Sequence, residues 1–324
     1  MSSLQRERLS VNLTAEKPDV HLMESAFTGR DLISLADLSK REIEEVLQVA
    51  ASIKRNGIPE DLLKGKILAS CFFEPSTRTR LSFEAAMLRL GGSVIGFSDN
   101  SNTSMQKGET LSDTMRVISN LCDLIVIRHS AEGSARAAAD ASFKPVINAG
   151  DGANQHPTQT LLDLFTIREL HGKIDGLQIA MLGDLRYSRT IHSLAIGLSH
   201  YAARLYFISS QELSLPEEIA EHLRKAGVKF SYHTDLAEVL PKLDILYMTR
   251  RQKERSSLPE KTPFVLRMNH LEKGKESLRV MHPLPRVGEI DPLVDSLPQA
   301  AYFQQAANGL PVRQALLSLI LGEL

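Results

Sequence analysis

Short apolar runs alternate with stretches of helical periodicity almost throughout this chain, and that alternation leaves few architectures open. The runs lie at 67–73, 93–97, 124–128 and 145–148, then at 177–182, 204–208, 228–232, 243–248 and 279–281, with helical segments such as 217–225 between them. Runs of that length, apolar on both faces, suit parallel strands covered by helices on both sides. The expected fold is α/β: two doubly wound parallel-sheet domains joined by interdomain helices. One such helix is expected to start with Pro157 at its first position, to carry the stripe Leu161, Leu162, Phe165, and to stop at Gly172. The last segment, 311–321, is apolar enough to pack as a helix onto a domain that the pattern does not specify. With 324 residues and 43% apolar content, the chain can give each of two domains its own core.

Charge narrows the function classes. Lys plus Arg total 38 against 39 Asp plus Glu, a formal charge of −1, which suggests neither a nucleic-acid surface nor an anionic membrane. Any anion site must therefore be local. The two cysteines, Cys71 and Cys122, sit in or beside apolar segments, which favours reduced core thiols and a cytoplasmic location over a disulfide framework. No apolar run approaches the roughly 18 residues needed to span a bilayer. The first 25 residues mix Arg6 and Arg8 with Glu7, Glu16, Asp19 and Glu24, unlike a signal or transit peptide, and are expected to form a loose extension or an arm on a neighbour. No His/Cys cluster has the spacing of metal ligands, so neither a metal nor a cofactor is expected.

In open parallel sheets ligands bind beyond the carboxyl ends of the strands, so the polar residues there carry the functional question. After the first strand comes Glu74-Pro75-Ser76-Thr77-Arg78-Thr79-Arg80, running straight into a helix. Such a junction aims free N–H groups, the positive end of the helix dipole, hydroxyls and guanidinium groups at one point, and phosphate is its natural guest. The helix is expected to bury Leu81, Ala85 and Leu88, broadened by Phe83, Met87 and Leu90, and to stop at Gly91-Gly92. The competing reading is an ordinary serine cap followed by surface arginines. Two arginines among three hydroxyl residues, all within five positions, favour the anion. A nucleotide is not implied, because there is no Walker Gly-Lys pattern and no Gly-x-Gly-x-x-Gly near Gly183-Asp184.

The other exits are as polar: Arg128-His129, Gly150 through Gln159, Gly183 through Arg189, Thr249-Arg250-Arg251-Gln252 and His282-Pro283-Leu284-Pro285-Arg286. Taken together they resemble the aspartate carbamoyltransferase family, from about Phe27 to the C-terminus. Phe73 through Arg80 is similar to the carbamoyl-phosphate motif shared by carbamoyltransferases, and His156-Pro157-Thr158-Gln159 to their second signature. The aspartate branch is indicated by Asp184 through Thr190, Met248 through Gln252 and His282 through Arg286, where an ornithine enzyme would show a His-Cys-Leu-Pro run and a Ser-Met-Gly loop. Chemistry agrees: a dicarboxylate calls for forked arginines, a cationic substrate for carboxylates.

The resemblance implies a carbamoyl-phosphate-binding domain over 1–156, with a helix over about 309–324 packing back on it, and an aspartate-binding domain over 157–308. It implies transfer of the carbamoyl group of carbamoyl phosphate to the amine of L-aspartate, an early step of de novo pyrimidine biosynthesis. Thr79, Arg128 and His156 would stabilise charge on the carbonyl oxygen. Ser76, Thr77 and Arg78 would hold the phosphate, Gln159 the carbamoyl amide, and Arg189, Arg250 and Gln252 the aspartate. The carbonyl of Leu284, fixed by Pro283 and Pro285, would meet the attacking amine. A loop over 102–110 would carry Ser104 and Lys107 into a neighbouring subunit's site, Lys107 reaching both substrates, which implies a homotrimer and leaves room for separate regulatory chains. Glu74 and Arg255 would pair with other charges when the domains close. From the residues alone, Lys107 also fits a solvated loop lysine and the run 250–255 a solvated or substrate-closing loop. A carbamoyltransferase for another amine, a noncatalytic assembly partner and a dinucleotide-dependent oxidoreductase are the competing functions.

Overall fold

The computed structural model describes residues 25–99, 104–253 and 264–324; the leader 1–24 and Arg255 lie outside them. Helix α1 (Lys40–Asn56) opens with a Ser39–Glu42 capping box and precedes the first sheet. That sheet holds β1 (Ile67–Phe72), β2 (Ser93–Phe97), β3 (Leu124–His129) and β4 (Val146–Asp151), all parallel, in the order β2-β1-β3-β4. Its crossovers are α2 (Thr77–Arg89), α3 (Leu111–Ser119) and α4 (Ser134–Ala141). The second sheet holds β5 (Gln178–Leu182), β6 (Arg204–Ile208), β7 (Lys229–His233), β8 (Ile245–Met248) and β9 (Arg279–Met281), parallel in the order β7-β6-β5-β8-β9.

Helix α5 (Pro157–His171) joins the sheets, and α6 (Arg189–Leu198), α7 (Glu217–Lys225) and the short α8 (Met268–Leu271) connect strands of the second. The chain closes with α9 (Tyr302–Ala307) and α10 (Gly309–Ile320), and α10 returns to pack on α1 and α2 beside the first sheet. Each sheet reverses its winding direction once, between β1 and β3 and between β5 and β8, the places where parallel sheets leave a crevice.

One apolar core runs from Leu68, Val126 and Ile147 of the first sheet through Leu161, Leu164 and Ile167 of α5 to Ile179, Met181 and Phe207 of the second. Each fully buried side chain of this size contributes about 1.5–3 kcal/mol. Helix α5 is buried from Pro157 through Ile167, so a carboxylate inside it needs partners. No helix among the described residues is long and apolar enough to cross a membrane.

Helix α2 corrects one expectation. Its buried face is Thr79, Phe83, Ala86 and Met87, continued by Leu90, whereas Leu81 and Leu88 are 50% and 60% exposed. The expected set mixed two faces: the face turned to the sheet and α10 follows Phe83, which lies under the Arg313 guanidinium at 5.0 Å, and Leu81 instead lines a cavity at the strand exits.

Candidate active site

Two helix N-termini form one half of the site. Ser76 is the N-cap of α2 but makes no side-chain cap hydrogen bond. The amides of Thr77, Arg78 and Thr79 therefore head a helix whose positive end is not capped by that hydroxyl. His156 is the N-cap of α5, again without a side-chain cap bond, and Pro157 takes the position where a missing N–H costs nothing. The backbone N–H of His156 donates to Ser193 Oγ (2.8 Å), which in turn donates to Gln155 Oε1 (2.9 Å), so α6 fixes the turn that presents the imidazole.

Glu74 ties the two sheets together. Its Oε2 lies 3.3 Å from Arg128 Nε at the end of β3 and accepts from both terminal nitrogens of Arg189, the first residue of α6, at 3.1 and 3.2 Å. Arg128 also donates to the Ala149 carbonyl (3.4 Å), and Arg189 to that of Gly152 (2.9 Å). One carboxylate thus orients a guanidinium from each sheet, a charge-assisted arrangement that fixes direction as well as charge.

The other half is built from loops. Gly183 stands at φ +127, and a Cβ there would lie 2.2 Å from the Thr249 carbonyl, so glycine lets the exits of β5 and β8 touch. Buried Asp184 accepts from the amide of Tyr187 (3.1 Å) and from that of Gln252 (3.0 Å), pinning both loops. After β9, His282 Nδ1 accepts from the Leu284 amide (2.8 Å), so Nε2 carries the proton and donates to Glu289 Oε1 (2.6 Å). Glu289 Oε2 accepts from the Val287 amide (2.8 Å). Burial holds His282 below the ordinary histidine range. Burial would raise Glu289, but the bonds from His282 and Val287 outweigh it and hold the carboxyl low. Leu284 sits at φ +58, a strained conformation for a branched side chain, inside this braced turn.

Both halves face one cavity of about 1000 Å³. From the first sheet and α5 it is lined by Ser76, Thr77, Arg78, Thr79, Arg128, His156 and Gln159; from the second by Arg189, Arg250, Gln252, Leu284 and Pro285. Shielding by the cavity walls and the nearby Arg250 guanidinium together lower the Arg78 pKa, and both cations line the one cavity. A crevice with that surplus of guanidinium and amide N–H groups favours a polyanionic guest. Lys107 is exposed at the end of the 3-10 turn Ser104–Lys107 and is not among the residues lining this cavity. Positions 102 and 103 of the expected loop lie outside the described residues.

Sequence reasoning missed several residues around the cavity. Asp163 is fully buried in α5, and Arg313, 3% exposed in α10, lines the cavity with Gln305 of α9. A carboxylate four positions after Gln159, and a single arginine in the apolar run 309–320, were the available signals. Ser193 and Tyr247 look like ordinary helix and strand residues, and only the fold brings them close.

The model described as "Aspartate/ornithine carbamoyltransferase, carbamoyl-P binding domain" matches residues 30–169, and the one described as "Aspartate/ornithine carbamoyltransferase, Asp/Orn binding domain" matches 175–320. The aspartate carbamoyltransferase catalytic subunit of Thermococcus kodakarensis is 55% identical over 304 residues, covering 91% of this chain and 98% of that protein. The Thermococcus gammatolerans counterpart is also 55% identical, over 92% of this chain and 99% of its own length. Among solved structures, Trypanosoma cruzi aspartate transcarbamoylase in complex with carbamoyl phosphate and aspartate superposes with a TM-score of 0.87 at 36% identity, covering 92% of this chain and 98% of that one. The same enzyme with N-(phosphonacetyl)-L-aspartic acid gives 0.86 at 37% identity, over 92% and 97%. Sequence, sheet order and the arginine-rich crevice agree: the chain belongs to the aspartate/ornithine carbamoyltransferase family, among the aspartate carbamoyltransferase catalytic chains.

Proposed function

We propose that this protein transfers the carbamoyl group of carbamoyl phosphate to the amino group of L-aspartate, giving N-carbamoyl-L-aspartate and phosphate, an early step of pyrimidine synthesis. The observation that carries the reading is one cavity lined by Arg78, Arg128, Arg189 and Arg250, with Arg128 and Arg189 sharing the Glu74 carboxylate. The aspartate amine attacks the carbonyl carbon, a tetrahedral intermediate forms, and the C–O bond to phosphate breaks. No covalent bond to the protein is required. Thr79, Arg128 and His156 meet the growing negative charge on the carbonyl oxygen; donors of this kind are each worth about 3 kcal/mol. Ser76, Thr77, Arg78 and the α2 N-terminus take the phosphate, and Gln159 the carbamoyl amino group. Arg189, Arg250 and Gln252 take the two carboxylates, and the Leu284 carbonyl receives an N–H of the attacking amine. Holding two small reactants in line supplies several kcal/mol more, about 7–11 in the best intramolecular cases.

The division of labour follows the sheets, with 1–156, the returning helix 309–324 and Gln159 at the start of α5 binding carbamoyl phosphate and the rest of 157–308 binding aspartate. A homotrimer with shared sites is supported by apolar side chains left exposed on the first-sheet side, Leu88 of α2, Ile95 of β2 and Val117 of α3 among them. Ser104 and Lys107 of an adjacent chain would complete each site. The relatives' designation as catalytic subunits supports separate regulatory chains as further partners. The free, buried Cys71 and Cys122, their thiols pushed up to about 12 and about 11 mainly by burial, support a reducing, cytoplasmic setting.

Incubation with carbamoyl phosphate and either L-aspartate or L-ornithine, with the ureido product measured colorimetrically, tests the reaction. Product from aspartate alone is expected, and product from ornithine alone would overturn the reading. Mixing inactive Lys107→Ala and inactive Arg78→Ala chains into hybrid trimers should recover activity. Hybrids as dead as their parents would remove the shared site.

A further inference from the structure

Beneath the cavity floor, three side chains from three different elements converge on Asp163. Its Oδ1 accepts from Gln159 Nε2 (2.9 Å) one turn earlier on α5 and from Gln305 Nε2 (2.6 Å) on α9, and its Oδ2 accepts from Tyr247 Oη (2.8 Å) on β8. The carboxylate is wholly shielded from solvent. An amide has a donor end and an acceptor end, and a carboxylate oxygen already receiving two bonds can only accept. Both glutamines must therefore turn their nitrogens to Asp163 and their oxygens away from it. An independent contact agrees for Gln305, whose Oε1 accepts from the backbone N–H of His282 (2.8 Å), a group that can only donate. Gln159 lines the cavity, so its outward end there is a carbonyl oxygen.

We infer that Asp163 is a positioning residue that sets the polarity of two amides, making Gln159 a hydrogen-bond acceptor towards the substrate cavity and Gln305 an acceptor that anchors the His282–Pro285 turn. An apolar side chain in this buried position would avoid the cost of desolvating a carboxylate; what it would not supply is direction. Asp163 touches no substrate. It acts through Gln159 on the donor half of the site and through Gln305 on the turn of the acceptor half. The inference rests on the reading that Gln159 meets the N–H groups of a carbamoyl amine.

The test compares Asp163→Leu, Asp163→Asn, Gln159→Leu and the double variant Asp163→Leu/Gln159→Leu in the full-length protein, by steady-state kinetics in both substrates. Asp163→Leu frees the Gln159 amide to rotate, and the KM for carbamoyl phosphate should rise at least about tenfold. Asp163→Asn keeps an oxygen for both amides and turns its NH2 to Tyr247 Oη, so KM should stay within about threefold of the parent. In the Gln159→Leu background, adding Asp163→Leu should raise that KM no further, because the residue acts through the amide already removed. A purely structural role would instead add its full effect to Gln159→Leu, and that result overturns the inference. So does an Asp163→Asn protein whose KM rises tenfold or more, a criterion that stands even if Asp163→Leu does not fold. If Gln159→Leu itself leaves the carbamoyl phosphate KM unchanged, the assigned role of Gln159 fails first. If it raises KM while folded Asp163→Leu does not, only the positioning role fails.

Discussion

The two halves of the cavity are built by different means. On the first-sheet side, the polar groups sit on regular elements: Ser76, Thr77, Arg78 and Thr79 at the start of α2, Arg128 on β3, His156 and Gln159 on α5. On the second-sheet side Arg250, Gln252, Leu284 and Pro285 sit in loops, and only Arg189 belongs to a helix. The loops compensate with bracing, Asp184 bonding to two of them and Glu289 to both ends of the 282–287 turn. A helix N-terminus supplies fixed N–H groups to an anion at no further ordering cost, whereas a loop must be held by side chains placed elsewhere. Under the proposed function, the preformed half would take the doubly charged phosphate and the braced loops the amine substrate that distinguishes aspartate from its alternatives.

The largest effect should come from the preformed half. Arg78→Ala should lower kcat/KM roughly a thousandfold, about 4 kcal/mol, with thermal stability nearly unchanged because Arg78 lines the open cavity and packs into none of the apolar cores. A large loss of stability would mean that the cradle is held together by its ligand residues and is not preformed. Next, Arg250→Ala should raise the KM for aspartate about a hundredfold and leave carbamoyl phosphate binding, followed by equilibrium titration, within about threefold. Equal loss for both substrates would erase the distinction between halves.

Glu74 joins the halves, and its removal should be felt on both sides. Glu74→Gln should lower kcat/KM about tenfold for each substrate, a modest figure because Glu74 retains 22% side-chain exposure although its partner Arg189 has 6%. A loss confined to one substrate would show that the arginines do not share their anchor in solution. The smallest effect belongs to the braced turn. Because Glu289 is held low in the fold, its contribution to stability is present above about pH 4.3, the ordinary value, and disappears as pH falls through its folded value. Glu289→Gln should therefore be less stable than the parent at pH 6 and approach it as pH falls below the ordinary carboxyl value, measured by thermal unfolding, with a few-fold higher KM for aspartate. A gap between the two proteins that does not change with pH would contradict this account of the turn.

The same contrast explains what the sequence could reveal. Most of the parallel strands are buried and show as continuous apolar runs; every expected strand has its counterpart, the more exposed edge strands β2 and β7 included, and 217–225 coincides with α7. Helix capping and anion binding use the same residues at the same spacing, so Ser76 through Arg80 and His156 through Gln159 were legible as motifs. Leu81 and Leu88 were misplaced because α2 carries apolar residues on two faces, one packed on the sheet and α10 and one left open, and periodicity cannot rank them. Tyr247 and Gln305 were illegible because their contacts to Asp163 span 84 and 142 positions in sequence, and the one local sign of Asp163, its spacing from Gln159, does not reveal those partners. Local chemistry is written locally, whereas the bracing that aims it depends on the tertiary fold.

If a phosphate cradle and a dicarboxylate clamp share one crevice, a ligand carrying both groups should engage them together. Titration with N-(phosphonacetyl)-L-aspartate, a single molecule carrying both groups, tests it most directly. Binding at least about a hundredfold tighter than inorganic phosphate is expected, with Arg78→Ala and Arg250→Ala each removing most of that gain. An affinity no better than that of phosphate, unchanged by Arg250→Ala, would contradict it.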